Sequence, residues 1–297
     1  VVYTCEPEMV KWAKGCGHSA RISPFDGNGK LPWKVDWPAH WKVLGVTIEG
    51  AGKDHSSAGG SRDIAKELCR QVFNIPNPFN LPYEFMLIGG KKMSSSKGLG
   101  MKARDLADML PLELGRFLFL KSDYKKQVEF DPMSSIAIPV LFDEYQKAAD
   151  LYFKKSNDDL AKAFLYSQIG EPKAPPKVRF LVLAQWVQMP NMEEEIKKQG
   201  LEEWAKYAKI WVEKFAPEEY KFEVKKELPQ GLDLNEKQKE LLRKTAEFVT
   251  DTKDPVELQT KIYELSKSLE LQSNEGFAAF YNTLLGKNHG PKLAALI

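Results

Sequence analysis

The sequence is poor in cysteine and in long apolar runs. Its 297 residues include only three cysteines, Cys5, Cys16 and Cys69. So few cysteines exclude a disulfide-stapled fold and indicate a reducing compartment. Apolar runs such as FLVLA (180–184) are far shorter than a membrane span, and the first residues lack the basic-then-apolar pattern of a secretory signal. We therefore expect a cytoplasmic protein without a membrane partner.

Net charge is also scarce. The chain has 43 Lys and Arg residues against 41 Asp and Glu residues, which leaves a formal charge of +2. A polybasic arm is thereby excluded, and any nucleic-acid surface must be a local patch. The hydrophobic content of 43% suffices for two or three modules with their own cores.

The first 120 residues indicate an α/β module. Residues 1–41 are rich in Gly, Pro and Trp and are predicted to be irregular. Residues 42–49 (KVLGVTIE) predict a buried strand, and after a glycine-rich turn residues 61–73 predict a helix with Ser61 as its N-cap. YEFMLIG (83–89) predicts a second strand. A strand–helix–strand order predicts a parallel sheet, with ligand sites at the carboxyl ends of its strands.

From about residue 120 the pattern becomes helical. In IPVLFDEYQKAADLYFKK (138–155) the apolar residues recur at helical spacing, and Asp254 before Pro255 predicts an N-cap followed by a first-turn proline. The predicted fold class is therefore α/β followed by an all-α region. Further helices are predicted in the stretches VRFLVLAQWVQ, NMEEEIKKQG, LEEWAKYAKIWVEKF, NEKQKELLRKTAEFV and DPVELQTKIYELSKSLEL.

The loop that follows the second predicted strand is the strongest functional signal. Lys91, Lys92 and Lys97 can surround a phosphate chain, and the glycines around them let the backbone approach a ligand closely. The loop lacks the Walker A spacing. On composition alone, a solvated surface loop is an equally good interpretation.

The amino-acid sequence of the loop favours the phosphate site. KMSSSKG (92–98), preceded by IGG, resembles the KMSKS signature of class I aminoacyl-tRNA synthetases, and class I lysyl-tRNA synthetases in particular. The resemblance extends from about residue 15 to residue 297. It rests also on CGHSARISPFDGNGKLPWKVDWPAHWKVLGV (16–46), GAGKDHSSAGGSRD (50–63) and GFAAFYNTLLGKNHGPKLAALI (276–297).

The resemblance implies a division into four modules. Residues 1–20 are expected to be the remnant of a zinc-ribbon-like insertion, and residues 21–120 the second half of the Rossmann-like catalytic fold. Residues 121–215 are expected to form a helical stem, and residues 216–297 a helical anticodon-binding cage. The family's HIGH motif has no counterpart in the sequence. We therefore expect a C-terminal portion of a longer enzyme, incomplete for catalysis.

The resemblance also implies the roles of individual residues. Lys92 and Lys97 are the expected catalytic residues, which stabilise charge on the phosphates of ATP, itself accompanied by Mg²⁺. The expected lysine-binding residues are Trp33, Asp54 and His55. The expected ATP-binding residues are Lys92, Met93, Ser94, Ser95, Ser96, Gly52 and His55.

The residues themselves give partial support to these roles. Gly52, Asp54 and His55 follow a predicted strand, where parallel sheets bind ligands, although His55 could equally be a structural histidine. An aromatic wall at Trp33 suits the alkyl stem and ammonium of lysine, although most tryptophans are simply core residues.

Two further sites are less complete. Cys5, Cys16 and His18 can bind Zn²⁺, but a structural zinc site needs four ligands. In the helical half, contacts to tRNA(Lys) phosphates are expected from the loop GKNHGPK (286–292), although solvated helix faces explain such charges equally well. The expected tRNA-contacting residues are Arg243, Lys244, Lys287, His289 and Lys292.

The predicted function is lysine–tRNA ligation, in which lysine is activated with ATP and transferred to tRNA(Lys). Two alternatives remain open. One is a tRNA-binding fragment without catalysis, and the other is a different class I synthetase such as a glutamyl enzyme.

Overall fold

The chain divides into two compact units. A computed structural model describes residues 1–8, 13–93, 100–252 and 254–297. The first unit comprises Val1–Met86 with Tyr124–Val128, and the second comprises Leu87–Asp123 with Glu129–Ile297. These units divide the chain at other positions than the four expected modules, whose roles stay predictions.

The first unit begins with a small hairpin. Strands β1 (Val2–Thr4) and β2 (Ser19–Arg21) pair antiparallel, and the hydroxyls of Thr4 and Ser19 lie 2.7 Å apart. The hairpin brings the backbones of residues 5 and 18 together, because the N–H of Cys5 donates to the carbonyl of His18.

A helix replaces the irregular segment that the sequence predicted. Helix α1 (Trp33–Leu44) contains Pro38 and ends at Gly45, whose left-handed backbone and N–H to Trp41 O close the last turn. Pro38 has no N–H to donate to the backbone carbonyl of Lys34. The helix tolerates this loss because Lys34 is exposed in the first turn, where water can donate to that carbonyl instead. The predicted strand at 42–49 was therefore wrong except at its last two residues, Ile48 and Glu49.

The predicted strand–helix–strand order is found, but its second strand is not the predicted one at 83–89, because that segment shares only Tyr83 with the pairing strand and mostly forms a separate antiparallel hairpin. Strand β3 (Ile48–Gly52) pairs in parallel with β4 (Phe79–Tyr83). Between them lie α2 (Lys53–Ser56), α3 (Ser61–Leu68) and a π-helical turn, Cys69–Phe73.

Gly60, rather than Ser61, is the N-cap of α3. A Cβ at Gly60 would lie 2.6 Å from the carbonyl oxygen of His55, so the chain needs glycine there. The carboxylate of Asp63 accepts the N–H of Gly59 at 2.9 Å and helps to fix the turn. One face of the unit buries a small core of Trp37, Trp41, Ala51, Ala65 and Cys69.

The second unit begins with a tight hairpin. Strands β5 (Met86–Ile88) and β6 (Lys91–Lys92) pair antiparallel, and the three-stranded sheet has the order β6-β5-β7, with β7 at Val128–Glu129. The N–H of Phe130 donates to Leu87 O at 3.1 Å, and the Phe130 side chain is buried.

The remainder of the second unit is helical, as predicted. Asp254 caps its helix through the N–H of Val256, and Pro255 occupies the first turn. Of the helices in the described ranges, none is long and apolar enough to cross a bilayer. The helices are α4 (Ala103–Met109), α5 (Leu112–Leu120), α6 (Ala137–Phe153), α7 (Asp159–Ser167), α8 (Phe180–Trp186), α9 (Glu193–Lys198), α10 (Glu202–Lys214), α11 (Glu236–Phe248), α12 (Pro255–Ser268), α13 (Ser273–Leu285) and α14 (Leu293–Leu296).

Aromatic and aliphatic side chains fill the interior of this unit. The rings of Phe142 and Phe180 stack at 4.1 Å, and Trp204 meets Phe142 edge-on at 4.7 Å. A second cluster joins the last four helices around Leu241 and Ile262.

Candidate substrate-binding site

An aromatic recess lies at the carboxyl end of β3. The indoles of Trp33 and Trp37 stack at a centroid distance of 5.2 Å, one helical turn apart on α1. His55, on α2, lies 6.2 Å from Trp33 and 5.8 Å from Trp37. The structure thus brings together Trp33 and His55, two of the three residues expected to bind lysine. Trp33 remains 52% exposed, so one indole surface is open to a ligand.

A buried arginine supports this recess from behind. The guanidinium carbon of Arg62 lies 4.7 Å from the Trp41 ring and 5.8 Å from the Trp37 ring. Its Nη2 donates to the carbonyl of Pro78 at 2.6 Å, whereas Nε and Nη1 have no hydrogen-bond partner among the described residues. Burial lowers the pKa of Arg62, and the nearby Glu49 carboxylate opposes that shift.

Glu49 fixes the middle indole. Its Oε1 accepts the indole N–H of Trp37 at 3.0 Å. Glu49 and the buried Ala51 are two apart on β3, so they face the same side of the sheet. Trp37 is therefore held by a hydrogen bond at its edge and by a cation near its face, which leaves Trp33 as the exposed outer layer.

The strand end itself carries Gly52 and Asp54. Gly52 immediately precedes α2, and a Cβ there would lie 2.9 Å from Asp54 Oδ1. Asp54 is exposed, and its Oδ1 accepts the N–H of His55 at 3.2 Å. Its carboxylate is thus a hydrogen-bond acceptor in the first turn of α2, a role that was not predicted from the sequence.

A neighbouring ion pair ties α2 to the end of β4. Lys53 Nζ lies 2.7 Å from Glu84 Oε2 and 5.2 Å from the centre of the Phe85 ring. The hydrogen bond from Lys53 lowers the pKa of Glu84, and partial desolvation opposes that effect.

The expected phosphate-binding lysines belong to the second unit. Lys91 and Lys92 form β6 and are exposed, and Met93 follows, half-buried. The two-residue turn Gly89–Gly90 precedes β6, and both of its residues have positive φ, 56° and 71°. Ser94, Ser95, Ser96 and Lys97 lie outside the described residues.

The expected zinc ligands are only partly assembled. The thiols of Cys5 and Cys16 are hydrogen-bonded partners, and the pKa of Cys16 is lowered mainly by a backbone hydrogen bond at His18 and then by Cys5. The His18 ring instead lies 6.1 Å from Tyr3. Within the described ranges no three Cys, His, Asp or Glu side chains gather as a ligand set, so a four-ligand zinc site does not fit.

The expected tRNA loop near the C-terminus is largely structural. Lys287 Nζ donates to the carbonyls of Glu218 and Lys221, at 3.0 and 2.5 Å, so its ammonium is already used within the fold. A Cβ at Gly290 would lie 2.6 Å from Leu285 Cδ1 and 2.8 Å from the Tyr281 ring.

The other expected tRNA residues differ in their availability. Lys244 lies 2.8 Å from Glu240 on its own helix. Arg243, His289 and Lys292 are exposed. Gly286 is the left-handed C-cap of α13, and of the described cations of α11 Arg243 is the one for which no ion pair is seen.

Sequence reasoning missed Trp37, Glu49 and Arg62 as parts of the recess. The signal for Trp37 was present, because Trp33, Trp37 and Trp41 recur every four residues, the spacing of one helix face. The assumption that Pro38 breaks the helix concealed it. No local signal marks Arg62, whose burial depends on packing between α1 and α3.

Comparison with known proteins assigns the class. A family model described as tRNA synthetases class I (K) matches residues 1–170, more than half of the chain. The chain therefore belongs to the class I tRNA synthetase family.

Three similar relatives are named lysine–tRNA ligase. A lysine–tRNA ligase of Archaeoglobus fulgidus is 31% identical over 100% of this chain and 60% of its own length. One from Thermoplasma volcanium is 32% identical over 98% and 58%, and one from Pyrococcus furiosus is 33% identical over 96% and 59%. The chain thus spans about three fifths of the length of these relatives.

Proposed function

We propose that this chain is the lysine- and phosphate-binding part of a lysine–tRNA ligase. The observation that carries the proposal is the recess of Trp33, Trp37 and His55 at the carboxyl end of β3. The lysine-rich hairpin and the shared name of the relatives support it. The reaction is the activation of lysine with ATP to lysyl-adenylate, with release of pyrophosphate, and then transfer to tRNA(Lys).

The recess suits a lysine side chain. The four methylenes of lysine can lie along the exposed face of Trp33, and its ammonium is attracted by the aromatic ring. His55 offers a ring nitrogen for a hydrogen bond to the amino acid or to ribose. Asp54 stays a second candidate, because its carboxylate is exposed close to His55.

The hairpin suits the phosphates. Lys92 is the residue proposed to stabilise negative charge as pyrophosphate leaves, together with Lys97. Fixed cations near developing charge commonly contribute about 10²- to 10³-fold in rate. ATP enters with Mg²⁺, and Met93 and the three serines that follow are proposed to bind ATP, as is Gly52 of the first unit. A cytoplasmic location accords with this role.

Selective binding of lysine tests the amino-acid site. We expect isothermal titration of this chain to detect lysine and not glutamate. Trp33→Ala should weaken lysine binding by about 10-fold, the weight of one cation–π contact. Phe25→Ala is the matched control, because Phe25 is an exposed aromatic residue of the same unit outside the recess. Binding of glutamate in preference to lysine would favour a glutamyl enzyme.

Lysine-dependent ATP–pyrophosphate exchange tests the role of Lys92. In a ligase that contains this chain together with a HIGH motif, Lys92→Ala should lower the exchange rate by about 100-fold, while the far-ultraviolet circular dichroism stays unchanged because the residue is exposed. A rate within twofold of the unsubstituted ligase would remove Lys92 from the mechanism.

The second candidate function is tRNA binding without catalysis. The exposed cations Arg243, His289 and Lys292 of the helical region support it. It predicts binding of tRNA that weakens steeply with salt, because phosphate contacts release counterions, together with no lysine binding and no exchange. Lysine-selective binding decides against it.

A further inference from the structure

One carboxylate touches the turn that precedes the lysine pair. Glu129 Oε1 accepts the backbone N–H of Gly90 at 3.1 Å. Glu129 is exposed and forms no ion pair with a described lysine, so its contact is with the backbone alone. A carboxylate that accepts an amide hydrogen gives a stronger bond than a neutral acceptor does.

The conformation of the turn determines how β6, and with it the lysine pair, is oriented. Ile88 pairs with Lys91 and Leu87 pairs with Lys92, so only Gly89 and Gly90 connect the two strands. Both glycines have positive φ, as two-residue hairpin turns require. Glycine pairs allow such turns but restrain them poorly, because glycine has many other backbone conformations. A side chain that holds one amide restricts that freedom.

Glu129 itself is well anchored. The next residue, Phe130, is 3% exposed and donates its N–H to Leu87 O at 3.1 Å. Asp131 then accepts the N–H of Met133 through Oδ1 at 3.0 Å. A Cβ at Gly89 would lie 3.4 Å from the other carboxylate oxygen of Asp131. The backbone on both sides of Glu129 is therefore fixed while its side chain reaches the turn.

We propose that Glu129 is a positioning residue, whose hydrogen bond to Gly90 holds the hairpin so that Lys91 and Lys92 face a bound phosphate chain. The proposal rests on the proposed function, since that function supplies the phosphate. Glu129 acts through the turn and touches no substrate. The position of the acceptor matters more than its charge, so an uncharged acceptor of the same length should keep most of the effect through a weaker hydrogen bond.

The first experiment observes the hydrogen bond directly. With ¹⁵N-glycine labelling, the spectrum contains signals from only 20 glycines. We expect the Gly90 amide resonance to move in Glu129→Ala, which removes the acceptor, and to stay near its native position in Glu129→Gln, which keeps an acceptor of the same length. A Gly90 resonance that is unchanged in Glu129→Ala would overturn the proposal.

The second experiment measures binding of inorganic pyrophosphate by titration calorimetry. Glu129→Ala should weaken binding by about 3- to 10-fold, the weight of one hydrogen bond, whereas Glu129→Gln should bind within twofold of the native chain. Glu227→Ala is the control for charge, because Glu227 is exposed and makes no hydrogen bond or ion pair with described residues. It should leave binding unchanged.

The outcomes separate the two proposals. If the native chain does not bind pyrophosphate, the proposed phosphate site fails. If the native chain binds and Glu129→Ala binds equally well, only the positioning role fails. If Glu129→Gln is as weak as Glu129→Ala, the charge rather than the hydrogen bond is responsible, and the proposal is also overturned.

Discussion

The two units differ in how completely they cover their own apolar surface. The second unit has an interior of aromatic rings, and Phe142, Phe164 and Phe180 have no exposed area, although other apolar residues of this unit are exposed. In the first unit, Ile48 is 65% and Phe79 is 66% exposed, and these two residues are neighbours on paired strands. Parallel sheets in proteins are normally covered on both faces. The interior of the second unit is thus fully enclosed at these rings, whereas the sheet of the first unit is covered on one face only.

The largest expected effect comes from deleting one aromatic ring in each unit. Phe142→Ala should lower the free energy of unfolding by about 3–5 kcal/mol, because it opens a cavity beside Phe180 and Trp204. Phe79→Ala should change it by less than about 0.5 kcal/mol, because the ring is already in water. Urea unfolding followed by circular dichroism and by tryptophan fluorescence measures both. Similar losses in the two variants would mean that Phe79 is covered in solution.

The second-largest expected effect is a difference in thiol reactivity between two cysteines of the first unit. Cys16 is exposed, and its lowered pKa enriches the reactive thiolate. Cys69 is buried beside Trp41, and desolvation raises its pKa. In the folded chain Cys69 should therefore react with iodoacetamide at least about 100-fold more slowly than Cys16.

The labelling experiment contains its own control. In concentrated urea the two cysteines should react at similar rates, since both environments are lost. On acidification, Cys16 should keep its reactivity to a lower pH than a free cysteine does, because its pKa is lowered. Equal rates in the folded chain would show that the small core of the first unit does not exclude solvent.

The smallest effect comes from the ion pair of Lys53 and Glu84. The pKa of Glu84 is lowered in the folded chain, so its stabilising contribution is present above the pKa of the unfolded chain. That contribution is lost as the pH falls through the lower, folded pKa. Because the Lys53 side chain is 46% exposed, Glu84→Gln should lower the Tm at neutral pH by only about 1 °C and not at all in acid. A decrease that persists in acid would assign it to packing.

The helices of the second unit were predictable because each carries its own signals. Asp254 and Pro255 mark a helix start within two adjacent residues, and the apolar spacing of α6 is visible within one segment. The chain in the first unit gives conflicting local signals instead. The apolar run around Gly45 suggests one strand, but Gly45 ends a helix within it. Pro38 suggests a helix break, but it lies inside that helix.

The recess was predictable only in part. Trp33 and His55 were chosen from a motif and from a predicted strand end, and the structure brings them together. The burial of Arg62 and the bond from Trp37 to Glu49 join elements that are separate in sequence. Such contacts follow from the packing of α1 and α3 against β3, which no local pattern encodes.

The close packing at Gly290 restricts which sequences this chain can accept. The Tyr281 hydroxyl donates to Pro291 O at 2.6 Å, and α14 follows with Leu293 fully buried. Every other amino acid adds at least one carbon where Leu285 and Tyr281 already stand. A missense change at this single codon would therefore force the Tyr281 ring and the Leu285 side chain to move and would disturb the hydrogen bond from Tyr281 to Pro291, just before α14.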